Sequence, residues 1–194
     1  MKSVLISIQP KWCELIASGK KTVEVRKSKP KLETPFKCYI YCTKDNTFAE
    51  KTLRGFDDNG KAIYYKANKG KVIGEFVCGK IEQGHILWVK EQPEYYDRVE
   101  EKTQLTYRQM FDYFGESGVG CFWHISDLKI YDKPRELSEF KKPCICKGEY
   151  EGEEYCDCLN CDFAADSDYG IIACDRPITR PPQSWCYVES EDTE

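Results

Sequence analysis

The chain has 194 residues, close to the size of one domain, so one core with a single appendage is expected and long repeat arrays are excluded. With 41% hydrophobic and 13% aromatic residues it can build a sizeable core, while 32% charged residues exclude a membrane-embedded chain. The net charge of −4 hides an asymmetry: residues 1–70 carry 15 Lys and Arg against 7 Asp and Glu, and the remainder carries 14 against 26. The amino-terminal part can therefore meet a polyanion. From Glu149 to Glu194 there are 13 acidic residues against Arg176 and Arg180, a stretch that repels phosphate and reads most simply as a solvated face. Apolar runs such as Val4 to Ile8 fall far short of the ~20 residues that span a bilayer. Met1-Lys2 leads straight into a strand-like segment without the apolar region of a signal peptide, so a cytoplasmic protein with no membrane partner is expected.

Ser3 to Ile8 reads as a strand, and Pro10, placed to start a helix, precedes an apolar face of Trp12, Leu15 and Ile16 that Gly19 closes. Lys20 to Arg26 then alternates with period two, which sets Val23 and Val25 on the core side and Thr22, Glu24 and Arg26 on the other. A loop rich in Lys and Pro, from Ser28 to Pro35, leads to an alternating strand from Phe36 to Thr43. The turn formers of residues 44–70 flank a short Ala62 to Tyr65 run and predict a surface hairpin or loop. Lys71 to Gly84 is a long strand whose Gly74 and Gly79 are places for a bend or bulge. Thr106 caps a helix with Tyr107, Met110, Phe111 and Phe114 at helical spacing, ended by Gly115. Phe122 to Tyr131 is strand-like, a short helical turn follows Pro134, and a last strand runs from Trp185 to Val188. Several curved strands with two or more packed helices make an α+β protein, a small, partly open mixed barrel.

Of the 12 cysteines, Cys13, Cys38, Cys42, Cys78 and Cys121 have apolar neighbours and read as small core side chains. The other seven crowd between Cys144 and Cys186. In a reducing compartment this favours thiolates holding a metal over a disulfide framework. The spacing Cys144-x-Cys146 and Cys156-x-Cys158-x-x-Cys161 predicts a structural zinc with four ligands drawn from these five residues and Cys174 in reserve; free thiols and disulfides are the alternatives. Neither His85 nor His124 lies in this segment, so the metal would fold the insert and do no chemistry. The division expected is a barrel of residues 1–143 plus 177–188, a cysteine-rich insert of 144–176, and an acidic tail of 189–194.

Ser7-Ile8-Gln9-Pro10-Lys11-Trp12, followed by Gly19-Lys20-Lys21-Thr22-Val23-Glu24-Val25-Arg26, resembles the ASCH domain family, whose hallmark is G-x-K-x-x-E-x-R. The segments from His124 to Tyr131 and from Arg180 to Val188 are similar to its small bacterial and prophage branch. The resemblance covers about three-quarters of the chain, excludes the insert, and implies a PUA-like barrel with a cleft for RNA or a modified nucleotide.

The residues themselves permit such a cleft. Glu24 and Arg26 point the same way from one strand, where Arg grips phosphate or a base edge and Glu accepts from an exocyclic amine. The plain alternative is a solvent-exposed ion pair worth ~0–1 kcal/mol. Lys20 and Lys21 stand at the mouth with Lys11 nearby, and Lys27, Lys29 and Lys31 either extend the patch or merely aid solubility. Trp12, Tyr39, Tyr41 and Trp123 are candidate stacking platforms, and Trp123 is counted among the ligand-binding residues.

Some relatives are amidohydrolases of N4-acetylcytidine that use Lys, Thr and Glu, and Lys21 stands at the Lys position of that pattern. Glu24 occupies the Thr position, a departure, and Glu75 is the first choice for the remaining carboxylate, with Glu100 and Glu101 competing. Alternation groups Lys21 with core-facing Val23, so Lys21 reaches the cleft only where the strand begins irregularly. Three functions are thus open: RNA or nucleotide binding, hydrolysis of an N-acylated nucleoside, and an adaptor whose acidic tail and insert bind a protein partner.

Overall fold

The computed structural model describes residues 2–44, 52–56, 62–66, 69–86, 93–143, 147–150, 153–156 and 176–189, with the backbone alone at 52–56, 62–66, 93–97, 147–150 and 153–156. Its centre is a six-stranded mixed sheet of β1 (Lys2–Ile8), β2 (Val23–Arg26), β3 (Phe36–Cys42), β6 (Lys71–His85), β7 (Val119–Arg135) and β10 (Trp185–Glu189). They lie in the order β10-β1-β3-β6-β7-β2. β1 and β3 pair in parallel, and every other neighbour in this sheet is antiparallel. β4 (Thr52–Phe56) with β5 (Ala62–Lys66), and β8 (Lys147–Tyr150) with β9 (Glu153–Cys156), form two separate hairpins.

The sheet curls because its two longest strands are irregular. β6 shifts register against β7 between Val72 and Gly74, between Glu75 and Val77, and between Cys78 and Lys80, and each bulge adds bend and twist. The curl is not completed, since β10 and β2 remain the two edges. Side chains bridge the seam instead: Trp185 Nε1 donates to Ser28 Oγ at 3.3 Å, and the Lys31 amide donates to the Tyr187 hydroxyl at 2.7 Å.

Among the described residues, three apolar clusters hold this frame. The concave face carries Val4, Ile6, Ile8, Cys38, Ile40, Cys42 and Trp123, closed by Cys13 and Ile16 of α1 (Pro10–Ala17). On the outside of β2 and β7, Val23, Val25 and Phe122 pack against Val99 of α2 (Pro93–Thr103) and Met110 and Phe114 of α3 (Tyr107–Phe114). A third cluster, with Leu5, Tyr39, Val72 and Val188, is covered by Phe140 and Ile178. α3 begins at the expected cap, Thr106, which forms a capping box with Gln109, and ends at Gly115 with φ +70°. α2 has no counterpart in the sequence reading, because Pro93–Thr103 lacks a continuous apolar stripe.

Both faces of β2 are buried, which corrects the expectation of one core face and one open face. Val23 and Val25 meet the helices, while Glu24 and Arg26, opposite Trp123 and Cys121 in register, point into the barrel. Helices packed outside a curled sheet leave neither face to water. Cys13, Cys38, Cys42, Cys78 and Cys121 are buried as expected. A Cβ at Gly74 would collide with the Lys129 carbonyl oxygen of the neighbouring strand. Gly74→Ala is therefore expected to lower the unfolding free energy by about 1–3 kcal/mol in urea titrations without changing the slope against denaturant.

Candidate functional site

The unclosed seam opens as a cleft of about 600 Å³ between the edge of β2, the start of α1, one side of α3 and residues 181–184. Its floor is charged. Glu24 stands between two cations, with Arg26 Nη2 at 3.0 Å from Oε1 and Lys21 Nζ at 3.3 Å from Oε2. Lys21, Glu24 and Arg26 are 2%, 6% and 7% exposed, so the solvent-exposed ion pair that alternation also allowed is not what forms. Lys21 joins them because β2 starts only at Val23, leaving residue 21 outside the strand's alternation.

Each cation is placed by main-chain acceptors from distant elements. Lys21 Nζ donates to the Val23 carbonyl at 2.9 Å and to the Thr103 carbonyl at 2.7 Å. Thr103 ends α2, where the last carbonyls have no helical partner and the dipole favours a cation. The preceding carbonyl, that of Lys102, accepts from the Thr22 amide at 2.9 Å, so the end of α2 seats both residues ahead of β2. Arg26 Nη2 also donates to the Ser7 carbonyl at 2.6 Å, and Nη1 reaches Ser184 Oγ at 3.5 Å. Ser7 in turn fixes the far wall, its amide donating to the Ser184 carbonyl at 2.9 Å and its hydroxyl to the Pro182 carbonyl at 2.7 Å.

The two cations differ in what they can still offer. The three N–H groups of the Lys21 ammonium match its three acceptors, the carbonyls of Val23 and Thr103 and the Glu24 carboxylate. Arg26 carries five donors, and its buried Nε–H has no hydrogen-bond partner among the described residues. Burial lowers the pKa of Lys21 from its ordinary 10.5, and the Glu24 carboxylate opposes that shift.

The walls supply aromatic surface. Trp12 and Tyr113 line the cleft, with Lys11 Nζ 4.6 Å and Lys21 Nζ 5.4 Å from the Trp12 ring centre and Lys27 Nζ 5.4 Å from that of Tyr113. Lys11 and Lys20 do not line it, although Lys11 reaches the rim through Trp12. Trp123 is wholly buried under Glu24 in the barrel core, and Tyr39 and Tyr41 belong to the third cluster, so no flat face of these three is open to stacking.

Glu75 lies elsewhere, accepting from the Tyr131 hydroxyl at 2.6 Å and facing Lys37 Nζ at 3.6 Å. The carboxylate that joins Glu24 in the lining is Asp112 of α3. Sequence reasoning passed over Asp112, Thr103, Ser7 and Ser184 as parts of the site. The lone signals were Ser7 between apolar Ile6 and Ile8 and Asp112 between aromatic residues of an amphipathic helix.

Cys144, Cys146, Cys158, Cys161 and Cys174 lie outside the described residues, as does the side chain of Cys156 at the end of β9. Among the described residues there is no cluster of three or more His, Cys, Asp or Glu placed to hold a metal, and no helix long and apolar enough to cross a membrane.

Because the folded state releases the Lys21 proton below pH 10.5, the unfolded chain binds more protons between the lowered value and 10.5, and stability rises with pH across that window. Urea unfolding from neutral pH upward is expected to show a smaller rise in Lys21→Met than in the parent protein. Equal slopes would place the proton elsewhere.

No curated protein matches the sequence. The ASCH protein from Zymomonas mobilis matches the structure with a TM-score of 0.56 at 20% identity, covering 98% of this chain and 90% of that one. A single-substitution mutant of the Zymomonas mobilis protein matches with a TM-score of 0.50 at 23% identity, over 71% of this chain and 77% of that one. These likenesses carry the fold, an α+β, PUA-like mixed sheet that stays open. The sequence model of the ASCH domain matches residues 6–156, most of the chain, and the protein belongs to the ASCH domain family.

Proposed function

We propose that the cleft binds RNA or a nucleotide, with Arg26 as the group that meets the ligand's anionic oxygens. Membership of the ASCH family supports a nucleic-acid or nucleotide partner in general. The observation that carries the specific reading is the Arg26 guanidinium, buried at the floor of an open cleft with a donor to spare. Glu24 satisfies part of that guanidinium and fixes its plane. At the floor one carboxylate stands between two cations, an excess of one positive charge that suits an anion, while Asp112 on the wall is itself paired with Arg108 at 3.0 Å. Trp12 and Tyr113 supply faces on which a base can stack.

Loss of a charged hydrogen bond worth about 1.5–3 kcal/mol predicts that Arg26→Ala weakens binding of single-stranded RNA or nucleoside monophosphates by ~10–100-fold. Fluorescence anisotropy over a salt series checks this, with binding falling as salt rises. The double variant Glu24→Ala/Arg26→Ala removes both members of the buried pair and avoids a stranded carboxylate. Unchanged affinity in that variant would reject the reading.

A second reading rests on the 3.3 Å pair of Lys21 and Glu24, an amine whose pKa burial lowers beside a carboxylate able to take a proton. In hydrolysis of an N-acylated nucleoside, Lys21 would act as base or nucleophile and Glu24 would handle the proton. Glu75, paired with Tyr131, has no part in this version. Incubation with N4-acetylcytidine, followed by chromatography, is expected to yield cytidine, with at least a ~100-fold loss in Lys21→Ala. Absence of cytidine, or turnover undiminished in that variant, rejects hydrolysis while leaving binding intact.

A further inference from the structure

β2 is an edge strand, and its backbone alternates between groups bonded to β7 and groups that face the seam. The phase of that alternation is defined. The Ile125 amide donates to the Thr22 carbonyl at 3.0 Å, which with the register Val23↔His124 and Glu24↔Trp123 directs the ladder bonds of residues 22, 24 and 26 toward β7. Val23 and Val25 therefore turn their N–H and C=O groups away from β7. The bond from Lys21 Nζ to the Val23 carbonyl confirms this phase independently. Val25 is buried, its side chain packs against the helices, and it lines the cleft, toward whose seam this phase directs its N–H and C=O. Among the described residues nothing outside the ladder bonds to that N–H or C=O.

An exposed edge ordinarily invites a whole strand, but here the opening is one residue long. On one side the Val23 carbonyl is occupied by Lys21. On the other, Arg26 crosses the seam to Ser7 and Ser184 and closes it. What remains is a single donor–acceptor couple, beside the spare Nε–H of Arg26 and within the same cleft as Trp12 and Tyr113. A flat group with a donor next to an acceptor on one edge, carrying an anion, complements this arrangement. The Watson–Crick edge of every nucleobase has that pattern, whereas an extended peptide would need a second open residue.

We propose that the main chain of Val25 reads the hydrogen-bonding edge of a single nucleobase, its N–H donating to the base and its C=O accepting from it. This rests on the nucleotide reading of the cleft and specifies its ligand as one base with its phosphate, with the base seated at the edge of β2 and the phosphate on Arg26.

The test follows the Val25 amide by NMR in the ¹⁵N-labelled full chain, titrated with the 5′-monophosphates of adenosine, cytidine, guanosine and uridine and with ribose 5-phosphate. At least one nucleotide is expected to shift the Val25 amide and slow its exchange with solvent, while ribose 5-phosphate leaves that amide unmoved. Val25→Pro deletes the N–H at a position where no ladder bond is lost. It is expected to weaken that nucleotide about tenfold more than it weakens ribose 5-phosphate. A nucleotide that binds in an Arg26-dependent way without affecting the Val25 amide overturns the base-reading role and leaves the cleft reading standing. RNA that binds while all four mononucleotides fail overturns the single-base ligand. Failure of both RNA and mononucleotides to show Arg26-dependent binding overturns both readings.

Discussion

The site depends on one carboxylate. Glu24 lies between Lys21 and Arg26, and burying such a trio costs on the order of several kcal/mol per ion before any attraction is counted. That cost is offset only because each cation also reaches main-chain oxygens, Lys21 at Val23 and Thr103, Arg26 at Ser7. The network consequently ties β2 to the end of α2, to β1 and to the segment before β10. Ionic pairs in a low-dielectric interior lose much when one partner is removed, so these four pieces of chain are held in one mutual arrangement.

The same network explains why the barrel stays open where it does. β2 and β10 do not pair, and between them Arg26 and Ser184 make a side-chain bridge in place of a ladder. A completed ladder would have buried the edge of β2 and closed the cleft. Side-chain bridging leaves depth, polar groups and a mouth, the three properties a small-molecule site needs. The floor then combines a cation with spare donors and a neighbouring strand edge, flanked by two aromatic rings.

Charge is unevenly distributed along this chain. The lysines of residues 27–31 continue from the end of β2, and Lys27 reaches Tyr113 at the cleft. Past residue 70 acidic residues outnumber basic ones by 26 to 14. The electrostatic part of a polyanion's binding grows with each phosphate neutralised, so it falls to the basic amino-terminal part.

Much of the frame was legible in the sequence because local rules act over a few residues. Period-two alternation marked the strands, Pro10 and Thr106 the helix starts, Gly115 a helix end, and apolar neighbours the five buried cysteines. The G-x-K-x-x-E-x-R run located Lys21, Glu24 and Arg26 and the family to which the chain belongs. Tertiary structure alone decided what surrounds them. Alternation states that Glu24 and Arg26 share a face, but whether that face is wet depends on the curl of the sheet, which brings Ser7 of β1 and residues 182–184 over it. The partner of Lys21 is Thr103, 82 positions along the chain, and that of Arg26 is Ser184, 158 positions along. Glu75 was the first choice for the remaining carboxylate and Asp112 was passed over; the course of β6 carries Glu75 to Tyr131, and the packing of α3 carries Asp112 to the cleft. Periodicity defines which residues of one element face together, and only the packing of elements distant in sequence defines what they face.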